Sequence, residues 1–204
     1  MNKQKLDALN SLSSLPNLAG NNESNSPGDS PEGQTLCGDF DIRIDRDGLW
    51  FYHGSPIGRK ELVKLFSSVL NRDKDGKYWL ITPAEKGEIV VEDVPFQAVE
   101  LTVEGELKHQ NLTFRTNIDE IVMADEAHPI RIETDSQTGE PSPYIMVRDG
   151  LEARLTRAVF YQMVDLGVEI AAEIAQGDTN YHDKSFGVWS GGQFFQIGTL
   201  TDQD

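Results

Sequence analysis

The tetrapeptide Arg46-Asp47-Gly48-Leu49 returns unchanged as Arg148-Asp149-Gly150-Leu151, each time between two short β-prone runs that lead into a helical pattern. A repeat of this kind points to folds that use one supersecondary unit twice. Before the first copy, Phe40, Ile42 and Ile44 alternate with Asp41, Arg43 and Asp45, the period of a half-buried strand. Asp47-Gly48 supplies a tight turn, and Leu49 to His53 returns as a second strand. Ser55-Pro56 has the chemistry of a helix cap followed by a first-turn proline. Leu62, Leu65, Phe66, Val69 and Leu70 then share one stripe, with Lys60, Glu61 and Lys64 facing water. Around the second copy, Tyr144 to Val147 and Leu151 to Leu155 flank the turn. Thr156 takes the cap position matching Ser55, and a helix runs from about Arg157 to Ala175 with Gly177 placed to stop it.

Between the copies lie β-prone runs separated by Gly, Asn, Asp or Pro: Tyr78 to Thr82, Glu88 to Phe96 (broken by Pro95), Val99 to Val103, Leu107 to Thr116, Glu120 to Ala124 and Ile130 to Glu133. They suggest a meander. A weaker match sets Trp79-Leu80-Ile81-Thr82 with Ile89-Val90-Val91 against Phe114-Arg115-Thr116 with Ile121-Val122-Met123. The helix precedes these strands in the first half and follows them in the second, so a plain tandem copy does not describe the chain. From Asn10 to about Thr35, Ser, Asn, Gly and Pro dominate, too little apolar surface to offset ordering entropy. The expected organisation is a disordered tail over 1–36, an N-terminal α+β domain over 37–97, a C-terminal domain over 98–176 and a closing segment over 177–204 that packs on the body. The fold class is α+β: two β-rich domains from a duplicated motif, each with one main amphipathic helix.

A formal net charge of −16 repels phosphate polymers and anionic headgroups, which argues against bulk nucleic-acid binding. The one cysteine, Cys37, forms no internal disulfide and fits a reducing compartment. No apolar run is long enough for a membrane-spanning helix, and Leu6 to Ser11 lacks the continuous apolar core of a signal peptide. The expected location is the cytoplasm, where the Asn22 and Asn111 acceptor patterns carry no glycan.

Several groups invite a functional reading. Asn71-x-Asp73-x-Asp75-Gly76 copies the first half of a calcium loop, but the twelfth position is Thr82 in place of a bidentate glutamate, so a polar turn is the better reading and no metal is expected. Arg59 and Arg157 fall in first helical turns, where a cation opposes the helix dipole and needs an anion: an internal carboxylate, or a bound carboxylate or phosphate that Arg148 and Arg154 would join. Trp50, Tyr52, Tyr78, Trp79 and Trp189 could stack on a planar ligand, although strand positions suit most of them to the core. Trp189, in an apolar closing segment, is a candidate gate. For catalysis there is no nucleophile elbow, zinc helix or phosphate-binding glycine loop; Glu85 with Asp93 is the one acid and base pairing considered, and Cys37 has no activating neighbour.

The motifs Asp47-Gly48-x-Trp50-x-Tyr52-x-Gly54-Ser55-Pro56-Ile57-x-Arg59, Arg72-Asp73-x-Asp75-Gly76-x-Tyr78-x-Leu80-x-Thr82-Pro83-x-Glu85-Lys86 and Val91-Glu92-Asp93-x-Pro95-Phe96 together resemble the family catalogued as domain of unknown function 1285. The likeness continues through Pro143-Tyr144, Ala153-Arg154-Leu155-x-Arg157 and Gly187-Val188-Trp189-Ser190-Gly191-Gly192-x-Phe194-Phe195. It implies a bacterial protein with a duplicated core, a C-terminal half like a pleckstrin-homology fold, a ligand site between the halves and a link to signal transduction. The second half offers only scattered Lys108, His109, Arg115 and Arg131, which does not suit phosphoinositides. The expected function is a non-enzymatic binding protein, without cofactor, taking an anionic or planar small ligand through Trp50, Arg59, Tyr78, Thr82, Glu85, Arg148, Arg154 and Trp189. The alternative is a protein–protein interaction module, acting through an acidic face or an exposed sheet edge, with no small ligand.

Overall fold

The computed structural model describes residues 35–177 and 185–199, so the tail expected over 1–36 lies almost wholly outside the described residues. The chain divides into two compact units, Met1–Pro95 and Phe96–Asp204.

The N-terminal unit runs β1 (Thr35–Ile44), β2 (Trp50–Tyr52), β3 (Ser55–Pro56), helix α1 (Lys60–Ser67), β4 (Leu70–Arg72), β5 (Tyr78–Ile81) and β6 (Glu85–Val91). Its six strands lie in the order β3-β2-β1-β6-β5-β4, antiparallel except where β1 meets β6 in parallel. The alternation seen in the sequence holds: Phe40, Ile42 and Ile44 are buried with Trp50, Phe66, Leu80 and Ile89. Ser55-Pro56 departs from the expected cap. His53 and Gly54, both at positive φ, turn the chain back, and Tyr52 pairs with Ser55 and Phe51 with Pro56. Proline is tolerated on such an edge strand because no neighbour needs its missing N–H. The helix therefore begins later, with Arg59 as an extended N-cap residue that makes no side-chain cap hydrogen bond.

The C-terminal unit runs β7 (Phe96–Glu104), a short 3-10 turn (Leu107–His109), β8 (Asn111–Thr116), β9 (Ile121–Met123), β10 (Ile130–Thr134), β11 (Pro141–Arg148), β12 (Leu151–Leu155), helix α2 (Arg157–Gly177), and the hairpin β13 (Ser185–Ser190) and β14 (Gln193–Thr199). The sheet order is β10-β11-β12-β7-β8-β9, with β7 and β12 parallel at the centre. Phe96, Ala98, Leu112, Phe114, Ile145, Ala153, Met163 and Val188 are fully buried. Thr156 does cap α2: its carbonyl accepts the Phe160 amide at 2.9 Å, and its hydroxyl lies 3.5 Å from the Val159 amide. The closing hairpin is tied to the sheet by Ser190, whose hydroxyl accepts the Leu112 amide at 2.9 Å and donates to the Ala124 carbonyl at 2.7 Å.

Numbered from its own first strand, each sheet reads 3-2-1-6-5-4, so the two units share one topology. The molecule is thus α+β, with two β-rich domains of duplicated design, and its C-terminal half is pleckstrin-homology-like. The duplication does not follow the tetrapeptide, however. Arg46 to Leu49 joins the first and second strands of its unit, whereas Arg148 to Leu151 joins the fifth and sixth. The turns differ as well. In the first, Asp45 accepts the Asp47 and Leu49 amides and Gly48 alone has positive φ; in the second, Asp149 and Gly150 both do, and Arg148 faces Leu151 directly.

One buried ion pair stands out in the C-terminal sheet. Glu152, 7% exposed at its side chain, accepts two bonds from Arg131, at 2.5 Å from Nε and 2.7 Å from Nη2. These bonds to Glu152 hold the arginine pKa well above its ordinary value. Replacing Arg131 by Met strands the carboxylate. We predict a loss of about 3 kcal/mol in urea unfolding, the lower end for a broken buried pair because the arginine side remains part-exposed, and a smaller loss when Glu152→Leu is added.

Candidate functional site

The N-terminal unit holds a pocket of about 30 Å³ between its sheet and α1, lined by Phe40, Ile42, Phe66, Val69, Leu80, Thr82 and Glu85. A space of that size takes one or two water-sized groups, or the end of a short alkyl chain. Each wall residue arrives for a local reason. Phe40 and Ile42 are the inward members of the β1 alternation, Leu80 and Thr82 belong to β5 and the turn after it, Phe66 comes from the end of α1, and Val69 from the turn between α1 and β4. Phe40 lies against Gly87 of the neighbouring strand: a β-carbon on Gly87 would fall 2.4 Å from the ring, so only glycine leaves room there.

Polar groups enter at one place. The turn from β5 to β6 is closed by Thr82, whose amide donates to the Glu85 carbonyl at 2.9 Å and whose hydroxyl lies 3.1 Å from that carbonyl and 3.0 Å from the Glu85 amide. Glu85 is half-buried and is the one ionisable side chain of the lining. Thr82 and Glu85, two of the sequence-derived candidates, thus meet in this pocket. Trp50 is adjacent at one remove. Its ring stacks on Phe66 with centroids 6.1 Å apart, and its buried Nε1–H has no hydrogen-bond partner among the described residues, a cost of about 1–3 kcal/mol.

The other candidates stand elsewhere. Arg59 is an exposed cap residue, and Tyr78 is a buried β5 residue with the Arg72 guanidinium 5.4 Å above its ring. In the C-terminal unit Arg148 pairs with Glu120 and lies over Phe96, Arg154 donates to the Ser142 hydroxyl at 3.0 Å, and Arg157 pairs with Glu140 at 2.7 Å. Trp189 packs on Phe194 with Lys108 Nζ 5.6 Å from its ring, and its carbonyl accepts from Gln110 at 2.9 Å. Glu85 opens β6 and Asp93 lies in the bend past its other end, with a strand of roughly 20 Å between them, so the two are not brought together as an acid and base pair. Among the described residues no His, Cys, Asp and Glu cluster is arranged to hold a metal ion, and no helix is long and apolar enough to cross a membrane.

The calcium-like stretch is a hairpin turn. Asp73 Oδ1 accepts the Asp75 and Lys77 amides at 3.0 and 2.9 Å, and Oδ2 accepts the Trp79 indole N–H at 2.7 Å. The carboxylate is spent on its own loop. The sequence places Phe40 and Ile42 on the inward face of a half-buried strand, Phe66 and Val69 on a buried helical stripe and Leu80 in a β-prone run, and these patterns do not separate a wall residue from a filled interior. The glycine at position 87, in a strand otherwise suited to larger side chains, was the one available signal.

Family models for the "Domain of unknown function (DUF1285), N-terminal domain" and the "Protein of unknown function (DUF1285), C-terminal domain" match residues 31–94 and 95–197. Among solved structures, a DUF1285 family protein from Silicibacter pomeroyi DSS-3 is similar at 43% identity and a TM-score of 0.71, over 86% of this chain and 91% of that one. Another, from Shewanella baltica OS155, has 29% identity and a TM-score of 0.48 over 61% and 91% of the respective chains. No curated protein matches.

The Asp73 carboxyl is held below its ordinary pKa, chiefly by the Trp79 hydrogen bond and then by the loop amides. Because the folded value is the lower one, this stabilisation is complete above pH ~4 and is lost as pH falls through the folded pKa. Asp73→Asn keeps an acceptor for the amides but turns an N–H donor towards the indole. The variant should therefore lose stability less steeply than wild type in urea melts taken below pH ~4; parallel slopes would show that Asp73 does not carry this acid sensitivity.

Proposed function

As this chain belongs to the DUF1285 family, for which the matched models state no activity, we propose that it is a non-enzymatic binding protein whose N-terminal unit receives a small ligand in the pocket beneath α1. The observation that carries the reading is the composition of that pocket: five apolar walls and a polar rim of Thr82 and Glu85. Apolar walls reward burial of a short aliphatic group at about 0.8 kcal/mol per methylene. The rim sets the sign. With a carboxylate and no cation in the lining, a ligand that donates hydrogen bonds or carries positive charge is favoured there over an anion. This shifts the ligand class from the anionic one that the scattered arginines suggested. Cytoplasmic signal transduction is the setting we propose, since a reducing compartment suits the single Cys37.

Methyl NMR with butylamine, 1-butanol and butyrate as probes tests the reading. Butylammonium should shift the methyl signals of Ile42, Val69 and Leu80 and bind several-fold more tightly than butyrate; Glu85→Gln should erase the difference while leaving butanol binding unchanged. If none of the three moves those methyls, the pocket is not a ligand site.

A further inference from the structure

Strand β9 forms one edge of the C-terminal sheet. It pairs with β8 at Arg115↔Ile121, Phe114↔Val122 and Thr113↔Met123. The Ala124 amide donates to the Leu112 carbonyl at 2.9 Å, and the Thr116 amide to the Glu120 carbonyl at 2.8 Å. Antiparallel pairs alternate between hydrogen-bonded and non-bonded. Glu120, Val122 and Ala124 therefore turn their backbone groups towards β8, and Ile121 and Met123 turn theirs to the open edge. The side chains of these two residues are also exposed, 64% for Ile121 and 37% for Met123, while Val122 between them is buried. Among the described residues, these amides and carbonyls turned away from the ladder, beside exposed apolar side chains, make a template for one more strand.

The charges around this edge select the strand. The segment reads Asp119-Glu120-Ile121-Val122-Met123-Ala124-Asp125-Glu126, in a chain of net charge −16. A second copy paired antiparallel about Val122 would set Asp119 opposite the other copy's Asp125 at both ends, and like charges directly opposite are destabilising. Asp119 is held by Arg115 at 3.1 Å, Glu120 by Arg148, and Asp125 by the amides of Ala127 and His128, whereas Glu126 stands exposed. A strand with lysine or arginine at both ends reverses the sign of the end contacts. We infer that β9 docks an extended polypeptide segment of a partner protein, with alternating apolar residues flanked by basic ones. The contact is short, so its affinity is modest and falls with salt.

The probe is an acetylated peptide, Lys-Lys-Val-Thr-Val-Thr-Lys-Lys, titrated into the full chain while backbone amides are followed by NMR. The Ile121 and Met123 amides should shift most, and the same peptide with glutamate for lysine should leave them unmoved. Met123→Pro removes an edge-facing N–H that the β8 ladder does not use, and should weaken binding at least tenfold. Ile121→Asp, at an exposed position, gives the same readout should the proline variant fold poorly. Equal binding by the glutamate peptide, or undiminished binding to either variant, overturns the inference; so does a wild-type dimer that these exchanges split, which would make the edge a self-pairing surface.

Discussion

Each unit depends on one parallel strand pairing, β1 with β6 and β7 with β12. In both cases it joins the first strand of the unit to the last, so two three-stranded meanders meet through their inner members and their outer members become edges. A parallel pair cannot be closed by a hairpin and requires a long crossover, here supplied by the rest of the unit itself. This is the most non-local contact in each sheet, and the burial of Ile42, Ile44, Phe96 and Ala98 along it is what repays the loop-closure entropy. Everything else hangs from it: pocket walls on one unit, a free edge on the other.

That pairing was invisible in the sequence, and the reason is physical. Local pattern shows which residues face inwards, and Phe40, Ile42 and Ile44 are read correctly from alternation alone, as is the cap of α2 at Thr156. Pattern does not show which strands are neighbours. The repeated Arg-Asp-Gly-Leu therefore led to the right conclusion through the wrong correspondence: the units are duplicates in topology, yet the two copies occupy different hairpins and adopt different turns. Asp-Gly is compatible with both turn types, so identity of sequence did not mean identity of place. Ser55-Pro56 went astray in a similar manner, because a serine followed by proline suits a helix start and an edge strand equally, and pairing with β2 decided the matter.

The acidity of the chain looks different once its carboxylates are located. Asp39 accepts the Asp41 amide within β1, whereas Asp45, Asp73, Asp125 and Asp135 each accept amides from their own loops. For Asp73, Asp125 and Asp135 hydrogen bonding lowers the pKa, against the opposing effect of desolvation. These are turn-builders, which local side-chain to backbone bonding makes favourable wherever short strands must reverse. Part of the negative charge is thus the price of many tight hairpins and says little about a ligand. The proposed binding sites rest on other carboxylates: Glu85 at the pocket rim, and Asp119, Glu120 and Glu126 beside β9.

How far each sheet is covered follows from helix length. In the N-terminal unit the helix lies between the third and fourth strands and has only eight residues, a rod of about 12 Å that cannot cover the face of six strands. In the C-terminal unit the helix follows the sixth strand, is free of the need to return to the sheet at once, and runs for 21 residues, about 32 Å. Its first turns place Val159 and Met163 in the core, and Phe186 of the closing hairpin meets Gly167 so closely that a β-carbon there would fall 2.8 Å from the ring. A shared sheet thus receives two different covers. The short one leaves a small space lined by Phe40, Ile42 and Leu80 with a carboxylate at its margin; the long one is joined by the closing hairpin, which Ser190 ties to Leu112 and Ala124.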